Sequence, residues 1–173
     1  GIKIIQNTEY PNNGAVKLTV SGMKGKTLAV RIPGWAEKYS FSVPASKTEK
    51  GYAFFEISED TAEIQLDFPM ECRLVAANPL VEANLGRVAL CRGPLTYCAE
   101  GVDNNSPLNN LSLSAQLNAN LLFNEEMQAY TVEADGFEDA PFDSLYRTYK
   151  PDFKSRKIKF IPYFAFANRG ETD

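Results

Sequence analysis

The sequence contains no histidine, one tryptophan and three cysteines in 173 residues. Each shortage removes a class of chemistry. Without an imidazole there is no Ser-His-Asp or Cys-His constellation, because the base that activates those nucleophiles is missing. Cys72, Cys91 and Cys98 are an odd number and too few for a disulfide framework. Their spacing is not that of a zinc site, and no histidine could complete one. All three lie in apolar strand patterns, where a thiol acts as a small buried hydrophobe; a bridge between Cys91 and Cys98, which flank the Arg92-Gly93-Pro94 turn, is the alternative. No glycine-rich phosphate loop appears either. Gly22-Met23-Lys24-Gly25-Lys26 lacks the P-loop spacing and the helix that should follow it, and reads as a hairpin turn.

Positive charge is also scarce: 18 Lys+Arg stand against 22 Asp+Glu, for a net charge of -4. A phosphate backbone would find no basic excess here, so nucleic acid is not an expected partner. No apolar run approaches the roughly 18 residues of a membrane-spanning helix, and the first five residues lack the charged and apolar regions of a signal peptide. The expectation is a soluble piece with no membrane partner. It begins with Gly1 rather than Met and in mid-strand pattern, as a segment of a longer chain would. A signal sending the parent to the periplasm or the medium would then lie upstream.

What the sequence does have is alternation. Val16, Leu18 and Val20 alternate with Lys17, Thr19 and Ser21, the pattern of a half-buried strand. The pattern returns at Leu28, Val30 and Ile32, at Tyr39, Phe41 and Val43, at Tyr52 and Phe54, and at Ile64, Leu66 and Phe68. Turn signals separate these runs, among them Pro11-Asn12-Asn13-Gly14, Pro33-Gly34 and Lys50-Gly51. Two further strands flank Arg92-Gly93-Pro94 between Gly86 and Asp103. Beyond them come an alternating run from Leu111 to Leu121, a strand from Tyr130 to Ala134, and a long surface excursion from Gly136 to Lys154. The last strand, Ile158 to Gly170, carries Pro162, a sign of an edge or bulge. The fold class is all-β, an antiparallel β-sandwich, either one or two packed sub-sandwiches. A polar stretch, Asn105 to Asn110, places the expected division after residue 103: a first sandwich unit over 1–103, and a second β unit over 104–173 that is incomplete or merged with the first.

With nucleophile dyads excluded, paired carboxylates are the remaining catalytic equipment, since glycoside hydrolysis needs only an acid and a base or nucleophile at the right separation. Glu100 and Asp103, where the chain leaves a strand, are the best local pair, and loop or interface carboxylates are the simpler reading. Glu138, Asp139 and Asp143 read as a solvated acidic loop. Trp35 could stack on a sugar ring or plug the end of a sandwich. Tyr163, Phe164 and Phe166, placed in one strand, would point to both of its faces. Asn104-Asn105-Ser106 and Asn110-Leu111-Ser112 match the N-glycosylation pattern, which is too short to carry meaning alone.

Four blocks occur in a distinctive order: Leu28-Ala29-Val30-Arg31-Ile32-Pro33-Gly34-Trp35-Ala36, Leu66-Asp67-Phe68-Pro69-Met70, the run from Gly86 to Asp103, and Pro162 to Gly170. Together with Thr8-Glu9-Tyr10-Pro11 and Gly14, they resemble the C-terminal part of the β-L-arabinofuranosidase-type glycoside hydrolases, family 127. Phe166 stands where that family more often has Trp. The resemblance implies an (α/α) barrel that carries catalysis, followed by β-sandwich domains. It implies a zinc-bound cysteine nucleophile and a glutamate acid/base in that barrel. The barrel's Cys-Cys and Glu-x-Cys motifs are absent here, so no catalytic, cofactor or metal residue is assigned to this chain, and zinc is expected only in the catalytic domain. The implied role is a non-catalytic accessory region, inactive by itself, with the parent's barrel as partner. Trp35, Arg92, Glu100, Tyr163, Asn168 and Arg169 are the candidates for domain-interface or sugar contact. The alternative is a carbohydrate-binding module gripping plant-type glycans through exposed aromatics, with Trp35 as the platform. The family pattern continues past Arg169-Gly170 into a further strand, whose loss would leave an open sheet edge.

Overall fold

The computed structural model describes residues 1–140 and 142–169. The expected open edge beyond Gly170 lies outside these residues. The chain divides into two compact units, Gly1–Glu71 and Cys72–Asp173.

The first unit is an antiparallel sandwich. One sheet has the order β1 (Lys3–Thr8), β2 (Ala15–Ser21), β7 (Thr61–Asp67), β4 (Ser40–Phe41), and the other has β3 (Lys26–Arg31), β6 (Tyr52–Ile57), β5 (Lys47–Glu49). Alternation does the sorting. Val16, Leu18 and Val20 of β2 and Ile64 and Leu66 of β7 share one core with Leu28, Ala53, Phe55 and Ile57. Burying each such side chain contributes about 1.5–3 kcal/mol. On β6 the expected phase is reversed: Ala53, Phe55 and Ile57 are buried, while Tyr52 is exposed and Phe54 half-buried. Parity explains the reversal: Glu56 shares the outward face with Tyr52 and Phe54, and Phe55 and Ile57 share the inward face with Ala53, while outside Arg31 lies 5.4 Å from the Tyr52 ring and Lys47 lies 4.6 Å from the Phe54 ring. Outward aromatics are thus stabilised by cation–π contact.

Gly22 to Gly25 forms no hairpin. It carries the chain from β2 in one sheet to β3 in the other, with Gly22 and Gly25 both at positive φ and Met23 buried beneath. The strand expected at Tyr39 to Val43 shrinks to Ser40–Phe41. Pro44 follows, and it has no N–H to extend a ladder.

The second unit is a seven-stranded antiparallel sheet, β11 (Leu111–Leu113), β13 (Ala129–Asp139), β14 (Phe153–Pro162), β10 (Leu95–Cys98), β9 (Val88–Arg92), β8 (Cys72–Ala76), with β12 (Ala119–Asn124) also on β13. Leu90, Tyr97, Val132, Ala134, Ile158 and Phe160 form its core. β9 and β10 are the expected strands around Arg92-Gly93-Pro94, where Gly93 has positive φ. The short helix α1 (Gly101–Asn104) follows β10.

Three expectations are corrected here. The division falls at 71/72 and not after residue 103, because β8, β9 and β10 lie in one sheet with β14 and β13. The excursion after Gly136 is shorter, since β13 runs on to Asp139 and pairs with Phe153 of β14. The last strand ends at Pro162, and Tyr163–Ala165 is a 3-10 turn. All three cysteines are free thiols: Cys91 lies 3.7 Å from the Thr96 hydroxyl, and Cys98 faces the Ile161 carbonyl.

Candidate functional site: a buried carboxylate clamp

The densest polar cluster of the second unit is built where β10 gives way to α1. The register Cys98↔Ile161 would set Glu100 opposite Lys159, but α1 lifts the backbone away there. The Asn104 side chain takes the vacated place: its amide donates to the Lys159 carbonyl (3.1 Å) and accepts from the Lys159 N–H (2.9 Å), and it also donates to the Glu100 carbonyl (2.9 Å). A side-chain amide thus continues the sheet ladder for one residue.

Glu100 is 1% exposed. Its carboxylate accepts the Ala167 N–H at 2.7 Å and pairs with Arg169. Arg169 also forks onto Asp103, with Nη1 3.0 Å from Oδ1 and Nη2 on Oδ2. Lys159 Nζ reaches Asp103 Oδ1 at 2.7 Å. Buried charge is tolerated only when paired and hydrogen-bonded, and here two carboxylates share two cations. The Arg169 guanidinium, joined by Lys159, holds the Asp103 carboxyl below its ordinary range, and the two carboxylates raise the pKa of Arg169. Burial, assisted by Glu100 and Asp103, pushes the Cys98 thiol up to about 11.

A second tier continues the clamp. Arg156 Nη1 pairs with Glu138 at 2.8 Å, its Nη2 donates to the Asn104 carbonyl, and the Ser106 hydroxyl donates to Glu138 at 2.6 Å. The Ser106 hydroxyl and Arg156 lower the pKa of Glu138. Asp139 pairs with Arg147 at 3.2 Å. These two carboxylates are strand residues with partners, not the solvated loop expected.

Chemically this is a clamp. A glycosidic acid must hold its proton near neutral pH, which requires an apolar pocket or an unshared like charge; Asp103 is pulled the opposite way. Among the described residues no three His, Cys, Asp or Glu side chains lie close enough to hold a metal ion.

Of the expected contact residues, Glu100 and Arg169 meet. Tyr163 rides on the 3-10 turn just before Ala167, 61% exposed and stacked on Phe166 at 5.6 Å. Phe164 is equally exposed, and Ala165 is the buried member of the turn. The three aromatics therefore do not straddle a strand. Asn168 is exposed between Ala167 and Arg169. Arg92 is buried at the turn end of the β9–β10 hairpin, 4.9 Å over the Tyr130 ring and beside Tyr97. Trp35 belongs to the first unit, half-buried, edge-on to Phe68 (6.2 Å) and tilted against Tyr10 (6.4 Å). Asn104, Lys159, Arg156 and Ser106 were not singled out as site residues; Asn104 carried only a glycosylation pattern that its burial makes unusable.

Two family models match the chain: "Beta-L-arabinofuranosidase, GH127 middle domain" over residues 1–70, and "Glycoside hydrolase family 127 C-terminal domain" over residues 72–173. The chain belongs to glycoside hydrolase family 127. The boundary between the two models coincides with the boundary between the two units. A non-reducing end beta-L-arabinofuranosidase of Bifidobacterium longum subsp. longum is 33% identical over 198 residues, covering 98% of this chain and 29% of that protein. The crystal structure of Ara127N-Se, a GH127 beta-L-arabinofuranosidase from Geobacillus stearothermophilus T6, superposes with a TM-score of 0.91 at 35% identity, covering 99% of this chain and 29% of that one. The GH127 beta-arabinofuranosidase BT3674 gives 0.81 at 28% identity, covering 98% and 30%. This family 127 chain spans less than a third of the length of these relatives.

Proposed function

We propose that this chain is a non-catalytic accessory region of a β-L-arabinofuranosidase-like enzyme, bracing the parent's catalytic barrel. The observation that carries this reading is the turn Tyr163–Phe166. Exposed clusters of large apolar side chains mark interaction surfaces, and here Tyr163, Phe164 and Phe166 are all solvent-exposed on a turn followed at once by two residues tied to a buried carboxylate. The lengths of the family relatives favour a partner in the same polypeptide. Trp35, by contrast, spends its ring edges on Phe68 and Tyr10, which speaks against its use as a sugar platform.

The test is the parent enzyme carrying Tyr163→Ser and Phe164→Ser together. Both side chains are exposed, so the accessory units keep their own fold. A lowered thermal half-life of arabinofuranosidase activity is the expected outcome. An unchanged half-life would overturn the bracing role.

A further inference from the structure

We propose a saccharide-binding cleft on the outer face of the four-stranded sheet of the first unit. A depression of about 750 Å³ lies there, lined among others by Asn7, Glu9, Ala15, Ser40, Gln65 and Asp67. Register explains its shape. Ala15 is opposite Asp67 and Asp67 is opposite Ser40, while the β1–β2 pairing, continued one step, sets Glu9 on the other side of Ala15. Strands lie about 4.8 Å apart, so two carboxylates flank Ala15, at a Cα separation of roughly 10 Å. The next row supplies two amides, Asn7 and Gln65, with Lys17 between them.

The site is partly organised in advance. Asn13 donates to Glu9 at 2.6 Å and accepts the Ala15 N–H at 3.0 Å, and the Ser42 hydroxyl accepts the Gln65 N–H at 2.9 Å. Lys17 is held by Glu63 at 2.7 Å. What faces the cleft is carboxylate beside amides and hydroxyls that both donate and accept, with Phe41 and Ala15 as apolar surface and Lys17 held by Glu63. That set complements a neutral ligand presenting neighbouring hydroxyl groups, each carboxylate taking two O–H donors. An anion would meet Glu9 and Asp67. A cation would need ligands at about 2.3–2.6 Å from several oxygens at once, which carboxylates on opposite sides of Ala15 do not offer. The cleft is independent of the bracing role; only the choice of an arabinose probe comes from the family.

The test uses the 173-residue chain, 15N-labelled and titrated with arabinotriose, with maltotriose and calcium chloride as comparisons. Saturable shifts confined to the amides of Asn7, Asn13, Ala15 and Gln65 are expected. Binding should weaken at least about tenfold in Ala15→Tyr, which fills the notch without removing a polar group and is compatible with an exposed strand position. Asp67→Ala should weaken it similarly. Equal saturable binding of maltotriose would keep the saccharide site and remove any arabinose preference. Absent or unsaturable shifts, unchanged binding in both variants, or the same shifts from calcium would overturn the proposal.

Discussion

Asp103 and Arg169, 66 positions apart, meet in a two-pronged contact, and the arginine nitrogen that completes it also serves the buried Glu100. One guanidinium therefore neutralises two carboxylates that the fold has taken out of water. Removing it leaves Glu100 as an uncompensated buried charge, with only Lys159 to answer Asp103. Arg169→Ala is expected to destabilise the chain by about 2–4 kcal/mol, read from urea unfolding. Arg169→Lys should recover part of this, since it restores charge without the fork. A loss below about 0.5 kcal/mol in the alanine variant would show that the clamp is ornamental.

The same contact sets a pH dependence. The folded-state pKa of Asp103 lies below its ordinary value of 3.8, chiefly through Arg169 and then Lys159. Its contribution is therefore fully present above the unfolded value and disappears as pH falls through the folded one. Wild type should exceed Asp103→Asn in stability at neutral pH, and the gap should narrow only below about pH 4. A gap that stays constant down to pH 2, about two units below the unfolded value, would exclude this linkage.

The sandwich was legible because the alternation at Val16, Leu18 and Val20 and at Ile64 and Leu66 is a direct imprint of one face buried and one wet. The phase of β6 is legible only from its far end, where Glu56 shares the parity of Tyr52 and Phe54, and Phe55 and Ile57 share that of Ala53; the large aromatics at Tyr52 and Phe54 point the other way. The β9–β10 hairpin was readable from Arg92-Gly93-Pro94. The clamp beyond it was half readable: Glu100 and Arg169 stood out within the family blocks, but Lys159 and Asn104 act through a register that only the folded β14 defines. For the same reason Glu138 looked like a loop residue, its partner Arg156 being visible only across the sheet, whereas the partner of Asp139, Arg147, lies in the connection between β13 and β14.

Gly14 tests close approach rather than backbone freedom. A Cβ there would sit 1.7 Å from the Phe68 carbonyl oxygen, whereas one at Gly25 meets nothing within 4 Å. Gly25 has positive φ, so Gly25→Ala should cost about 1 kcal/mol through strain alone. Gly14→Ala must push β2 away from the end of β7, and should cost about 3 kcal/mol. Guanidinium unfolding of the two variants side by side decides it, and a reversed order would mean that the Gly14–Phe68 contact is looser than described.

Asn104 gives the sharpest separation of chemistry from shape. Its amide makes three hydrogen bonds, two of them to the backbone of Lys159, and it is 1% exposed. Asn104→Asp is nearly isosteric, yet it replaces the donating nitrogen with an oxygen facing the Glu100 and Lys159 carbonyls. It also adds a negative charge beside Glu100 and Asp103. Asn104→Ala leaves the Lys159 N–H and carbonyl without their partner, at about 1–3 kcal/mol. If the donor role governs, the aspartate variant must be the less stable of the two despite its better fit. Amide hydrogen exchange at Lys159 should accelerate in the alanine variant as its acceptor is lost. Equal stability of the two variants, with Lys159 exchange unchanged, would mean that Asn104 merely fills space and that β14 needs no side-chain partner where α1 departs.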